Sequence, residues 1–411
     1  MTKRVLHVLS QRPSRTGSGV TLEAMVRQAG VAGWQQAAVV GVPAGETHPP
    51  VGNLPPNAVF PLFFTGEQGE RADLDFPVPG MSDVMPYVST VWSEMTTDQL
   101  AHYTTAWQQH LARVIADFAP DIIHAHHIWL VSSLLKDLAP QTPVVATCHS
   151  TGLRQMGLVP HLADEVRRRC ARLDHFCVLR DDHGAILQEM LAVESGRITV
   201  VGAGYRPDLF HRDPQVLAQP QDLLYIGKYS HAKGLPWLLD AFTSLLEKDG
   251  HLRLHIAGSG AGPEAEALRQ RMQGLAPAVV LHGQLDQPQL ADLMRRCGVC
   301  VLPSFYEGVP LVLVEAAACG CRLVSTALPG VVERIAPHLA DRLILVPLPR
   351  LKGSDQPVAA DLPRFVADLE AALAQVLAGQ KGAPGLTPEA LAPFTWEAVF
   401  SRVERIWNHL T

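Results

Sequence analysis

Twelve short runs of β-branched and other apolar residues recur along this chain, and each leads into a longer segment whose apolar positions return every three or four residues. Such alternation buries its strands only in parallel sheets with crossover helices on both faces, so the chain is α/β. The candidate strands are 4–9, 36–40, 121–124, 143–147, 175–179 and 198–201, then 222–226, 252–257, 278–282, 299–303, 322–325 and 342–346. Two sets of six, each opening with its own strand–loop–helix unit, predict two doubly wound, Rossmann-like domains. The change-over falls near residues 202–220, where Gly202, Gly204, Pro207, Pro214 and Pro220 interrupt regular structure. The domains expected are therefore 1–205 and 206–394. The last segment, 395–411, reads as a helix with Trp396, Val399, Val403, Ile406, Trp407 and Leu410 on one face, which needs a surface to pack on. That surface is expected on the first domain.

The 411 residues suffice for two or three cores, and 47% hydrophobic against 18% charged residues describes a chain that folds unaided. With 34 basic and 40 acidic residues the formal charge is −6, and no basic stripe is present, so nucleic acid is not an expected partner. The opening MTKRVLHVLSQRPSR has an apolar stretch too short for a secretory h-region and far below the roughly 20 residues of a membrane span. A cytoplasmic protein is expected. Seven cysteines, an odd number, argue for a reducing compartment. Cys297, Cys300, Cys319 and Cys321 have spacings that zinc sites use, but Cys300 lies in an apolar run and Cys319 ends an alanine-rich helix, so packing is the expected role and no metal is assigned. Residues 41–95, rich in proline and glycine, read as a long insertion without periodic pattern, and 348–360 as a surface loop. Arg167, Arg168, Arg169 and Arg172 form a basic cluster that reads as a solvated helix face in preference to a membrane contact.

The most informative stretch is LPSFYEGVPLVLVEAAACG, residues 302–320. A strand ends near Pro303, a loop carries Glu307 and Gly308, and a helix opens at Val309-Pro310, where proline is tolerated as a first helical residue. The amides of Gly308, Val309 and Leu311, at the positive end of the helix dipole, make a phosphate site. Glu315 follows Glu307 by eight residues, and carboxylates accept from vicinal hydroxyls. Two such acceptors flanking a phosphate site describe a nucleotide sugar. Glu315 stands between Leu311-Val312-Leu313-Val314 and Ala316-Ala317-Ala318, where burial leaves a carboxylate in need of partners.

This segment resembles the Glu-x7-Glu signature of retaining, nucleotide-sugar-dependent glycosyltransferases of the GT-B fold, above all family 4, the glycosyl transferases group 1. YIGKYSHAKGLPWLLDAF is similar to that family's glycine–arginine and lysine–glycine segment, with Lys228 standing where arginine is usual. LHIAGSG, VVLHGQLDQPQLADLMRRC and RLVSTALPGVVE resemble the pieces around it, so the likeness covers residues 198–335 and, more loosely, 1–40 and 118–190. The resemblance implies an acceptor-binding first domain and a nucleotide-sugar-binding second domain facing across a cleft, with a hinge near 202–214. It implies that Lys228 and Lys233, after the strand 222–226, neutralise the diphosphate leaving group. Gly17-Ser18-Gly19 resembles the glycine-containing loop that approaches the donor phosphate. Asp121-Ile122-Ile123-His124-Ala125-His126 resembles the family's Asp-x-x-His-x-His, in which the second histidine, here His126, faces the donor sugar. His124 reads as structural, although alternation puts it on the side of His126 and a metal pair is open to that geometry. His149 and Arg154, after the strand 143–147, are candidates for the acceptor.

The catalytic set implied is His126, Lys233 and Glu307. The donor is a UDP- or GDP-linked sugar, the acceptor a small molecule, glycan or lipid-linked sugar, and no cofactor or metal is expected, since no Asp-x-Asp motif stands beside the diphosphate position. A sugar-nucleotide epimerase or a non-catalytic binder of the same fold is the alternative. The run Gly258-Ser259-Gly260-Ala261-Gly262 is not a dinucleotide fingerprint.

Overall fold

The structure, a computed structural model, describes residues 2–13, 16–66, 72–82, 85, 87–353, 355–379, 386 and 388–411. It divides into two compact units, Met1–Gly204 with Trp396–Thr411, and Tyr205–Thr395.

The first unit holds strands β1 (Arg4–Leu9), β2 (Gln35–Pro43), β3 (Val59–Phe64), β4 (Ile122–Ala125), β5 (Val144–Cys148), β6 (His175–Val178) and β7 (Ile198–Val200). They form one parallel sheet in the order β3-β2-β1-β4-β5-β6-β7. The second unit holds β8 (Gln219–Ile226), β9 (Arg253–Ala257), β10 (Val279–Gly283), β11 (Cys297–Leu302), β12 (Arg322–Thr326) and β13 (Leu343–Val346), ordered β10-β9-β8-β11-β12-β13. Each sheet reverses direction of growth once, at β1/β4 and at β8/β11. The carboxyl ends of those strand pairs are where ligands of doubly wound sheets bind. The central strands are apolar on both faces: β4 is buried throughout, and β1 from Val5 onward.

The segment 41–95 is not the pattern-free insertion expected. Its run VFPLFF is β3, the edge of the first sheet, where Pro61 costs no ladder hydrogen bond on the open side. Phe64, Leu74, Phe76, Val78, Met81 and Trp92 then join the main core of the unit, while 67–71, 83, 84 and 86 lie outside the described residues. Segment 348–360 likewise contains a small hairpin, β14 (Leu351–Lys352) with β15 (Gln356–Pro357), Ser354 being outside the described residues.

The closing helix Trp396–Leu410 buries Trp396, Val399, Phe400, Val403, Ile406 and Trp407 against Val5, Ala24, Met25, Ala29, Trp34, Ile122, Val145 and Cys177 of the first unit. Polar ties hold its flanks: Trp34 Nε1 donates to Glu404 at 2.9 Å and Arg402 Nε to the Val201 carbonyl at 2.8 Å. All seven cysteines are unpaired and buried, and burial pushes the Cys297 and Cys319 thiols up to about 12. They pack as small uncharged groups, Cys321 donating weakly to the Met294 carbonyl. In the arginine cluster, Arg167 pairs with Asp164, Arg169 with Glu165 and Asp137, and Arg172 with Asp137, so most of its charge is compensated locally. Among the described residues no helix is long and apolar enough to cross a membrane.

Candidate active site

In the second unit the site is built where β8 and β11 end. Gly258, at φ +142°, lies so close to the turn after β8 that a Cβ there would sit 2.0 Å from the Gly227 carbonyl oxygen. The Tyr225 hydroxyl donates to the Lys228 carbonyl at 2.7 Å and closes the same turn, leaving the Lys228 side chain exposed. Next comes one tight turn, His231–Lys233, and Gly234 at φ +70°, whose missing side chain lets the chain pass against Pro303. The Phe305 N–H donates to the Ala232 carbonyl at 3.0 Å, so the loops after β8 and β11 are tied backbone to backbone. That tie delivers Lys233 to Glu307: Nζ donates to Oε1 at 2.7 Å and to the Tyr306 carbonyl at 3.3 Å. Both side chains are largely withdrawn from water, at 25% and 19% exposure.

The helix Leu311–Cys319 starts later than expected. Pro310 is its cap, at φ −77° and ψ 77°, and the Leu311 N–H turns back to the Val309 carbonyl at 2.8 Å, an inverse γ-turn. Gly308 and Val309 lie in the loop just before that cap, part-exposed. One turn into the helix, the apolar surroundings of Glu315 raise its carboxyl to about 7. Donors brought to this carboxyl would favour its ionised form.

In the first unit Gly17-Ser18-Gly19 is not a loop but the first turn of the helix Gly17–Val31, which Thr16 caps, its hydroxyl accepting from the Gly19 N–H at 3.2 Å. Ser18 is buried, bonded to Thr16 at 2.9 Å and donating to Gln11 Oε1 at 3.4 Å, while Gly17 faces open space. His127 Nε2 meets the same Gln11 oxygen at 2.9 Å. His7, His124 and His126 form a buried row on β1, β4 and the residue beyond, His7 in register with His124. Burial first, then neighbouring imidazoles, lowers His124 and His126 well below the usual histidine range, and burial brings His7 to about 4, so the row is neutral.

The row offers ring nitrogens within 4.8 Å of one another, the spacing of a metal site. However, the His124 and His126 rings stack at 4.6 Å and 11°, so their lone pairs lie in two nearly parallel planes and an ion in the plane of one ring is out of the plane of the other. A stack of neutral rings describes the pair better. His149 is buried, its ring 5.1 Å from that of His127 and its pKa brought by burial to about 4, whereas Arg154 is exposed on the helix Ser150–Leu158.

Gln11 Nε2, His126 Nδ1, His127 Nδ1, His149 Nε2, Thr151 Oγ1 and Gln155 Oε1 are buried with no protein partner. Gln11, His126, His127, His149 and Thr151 follow the carboxyl ends of β1, β4 and β5 within three residues, and Gln155 lies on the helix Ser150–Leu158. Buried polar atoms ordinarily have partners, so these six atoms are left for water or a ligand to satisfy. Gln11, His127, Thr151 and Gln155 were not singled out from sequence; a third histidine directly after the His-x-His was the available sign.

Paired doubly wound units of this kind are the architecture of the GT-B glycosyltransferases, and this chain is one of them. Residues 220–350 match the family described as Glycosyl transferases group 1 and residues 81–209 match Glycosyltransferase Family 4, and the chain belongs to that family. A glycogen synthase of Mycobacterium tuberculosis is 28% identical over 306 residues, 70% of this chain and 68% of that protein. D-inositol 3-phosphate glycosyltransferase 1 of Catenulispora acidiphila is 28% identical over 336 residues, 72% of this chain and 76% of that one. The pneumococcal O-GlcNAc transferase GtfA in complex with UDP and GlcNAc shares the fold at a TM-score of 0.65 and 12% identity, over 100% of this chain and 99% of that one.

Proposed function

We propose that this glycosyltransferase moves a sugar from a UDP- or GDP-linked donor to an acceptor hydroxyl with the anomeric configuration retained and without a metal or other cofactor. The observation that carries the reading is Lys233 held against Glu307 where the second sheet reverses, with Glu315 on the helix that follows. As the bond from the anomeric carbon to the phosphate oxygen breaks, negative charge builds on the diphosphate. Lys233, Lys228 and the amides of Gly308, Val309 and Leu311 meet it, and Leu311 gives up its γ-turn to do so. Glu315 accepts from the ribose hydroxyls and Glu307 from the sugar. The first helical turn Gly17-Ser18-Gly19 approaches the donor phosphate, and His126 takes a sugar hydroxyl.

The acceptor oxygen bonds to the same face of the anomeric carbon that the diphosphate leaves, and its proton passes to the departing phosphate oxygen. His149 and Arg154 are assigned to the acceptor, a small molecule, glycan or lipid-linked sugar. The unpaired thiols favour a reducing compartment, the cytoplasm. That relatives include a glycogen synthase, and that a protein of the same fold is known with UDP, supports the donor class.

Calorimetric titration of UDP and GDP tests the donor assignment. Lys233→Ala and Glu315→Ala each weaken the preferred nucleotide by about 1.5–3 kcal/mol, or roughly 10- to 150-fold. Unchanged affinity in both variants removes the assignment.

A further inference from the structure

Three hydrogen bonds behind His126 run in one direction. The Val26 carbonyl oxygen, on the helix Gly17–Val31, lies 3.0 Å from Gln36 Nε2. A carbonyl only accepts, so the amide nitrogen of Gln36 faces it and the amide oxygen faces the other way. That oxygen, Gln36 Oε1, lies 3.1 Å from His7 Nε2 and also only accepts, so His7 carries its proton on Nε2. His7 is fully buried and neutral, with one ring proton to place; its Nδ1 is therefore bare. Nδ1 lies 3.2 Å from His126 Nε2, which must then be the donor. His126, neutral too, is left with a bare Nδ1, and that atom is buried without a partner.

We propose that Gln36 and His7 are positioning residues that fix His126 as the Nε2–H tautomer, so that Nδ1 meets the donor sugar only as a hydrogen-bond acceptor. The proposal rests on the reading of His126 as the sugar-facing histidine and adds what that histidine selects: a sugar with a free hydroxyl to donate at that point. A donor lacking that hydroxyl leaves the buried lone pair unmatched and is discriminated against. Each link is a neutral bond between buried or part-buried groups, and the run of three is anchored on a helix backbone that cannot reverse its polarity. Neither Gln36 nor His7 needs to touch substrate for this.

The direct test is long-range 1H–15N correlation NMR on the full chain labelled with 15N-histidine, which reports the protonated nitrogen of each ring. The wild-type protein shows His7 and His126 protonated on Nε2. Gln36→Met removes the acceptor and lets the pair reverse, so His126 shows Nδ1 protonation, wholly or in part. Gln36→Glu in its neutral acid form donates its O–H to the Val26 carbonyl and accepts from His7 Nε2–H with the other oxygen, and keeps the wild-type pattern. Urea unfolding of both variants, read beside the NMR pattern, separates tautomer from stability. In turnover, Gln36→Met lowers kcat about tenfold with KM little changed, and Gln36→Glu recovers most of it. A wild-type His126 protonated on Nδ1, or a tautomer unmoved by Gln36→Met, overturns the relay. Equal losses of kcat in the two variants reduce Gln36 to a structural tie and overturn it as well. If His126→Ala leaves kcat unchanged, the sugar-facing reading fails by itself, and the NMR pattern still decides the relay.

Discussion

Lys233→Ala lowers turnover by roughly 10²–10³-fold, more than its effect on nucleotide affinity alone, because the charge it meets is larger in the transition state than in the bound donor. The lysine is placed by backbone: the tie between Phe305 and Ala232 and the close pass of Gly234 at Pro303 hold its Cα where Nζ reaches Glu307 at 2.7 Å. Removing it also takes the lysine's charge away from a carboxylate that is only 19% exposed beside the expected phosphate. The double variant Lys233→Ala/Glu307→Gln therefore binds nucleoside diphosphate more tightly than Lys233→Ala alone, although it is no better at turnover. Steady-state kcat with the preferred donor, alongside nucleotide titration of the single and double variants, checks both statements. A Lys233→Ala enzyme within threefold of wild-type kcat contradicts the first, and a double variant binding no better than the single contradicts the second.

Trp407→Ala destabilises the first unit by about 3–5 kcal/mol and leaves nucleotide binding by the second unit intact. Trp407 is fully buried, and its ring meets Trp34 at 5.0 Å, Phe400 at 5.5 Å, His124 at 5.5 Å and His7 at 5.8 Å. It is the plug by which a helix from the end of the chain covers β1 and β4. Its indole N–H has no partner among the described residues, so its contribution is packing, and Trp407→Phe, which leaves a smaller cavity, costs less than Trp407→Ala. Urea unfolding followed by tryptophan fluorescence measures both, with nucleotide titration below the transition as the control. A Trp407→Ala protein that loses nucleotide affinity while its first unit stays folded would place the helix in the wrong unit.

What the sequence displayed and what it hid follow from the range of the interactions. β4, β5 and β11 announce themselves as short apolar runs because strands buried on both faces tolerate little else. β3 is hidden because Pro61 argues against a strand unless it is an edge, and position in a sheet is not a local property. The cap at Pro310 was placed one residue early because a γ-turn and a first helical turn share the same proline φ. Glu307 and Glu315 were visible through their spacing, and Glu315 through its apolar neighbours, but the bond from Lys233 to Glu307 spans 74 residues and leaves no local trace. The same holds for His7, a lone histidine in RVLHVL, whose partners Gln36 and His126 lie 29 and 119 residues away.

The reaction's stereochemistry tests the account most directly. With UDP-glucose and GDP-mannose as probes, proton NMR of the sugar at early times, with EDTA present throughout, reports both the configuration at the anomeric carbon and the need for a divalent ion. The account predicts that the first-formed product keeps the donor's α configuration and that chelation leaves the rate unchanged. A first-formed β product, or activity abolished by EDTA and restored by a divalent cation, contradicts it.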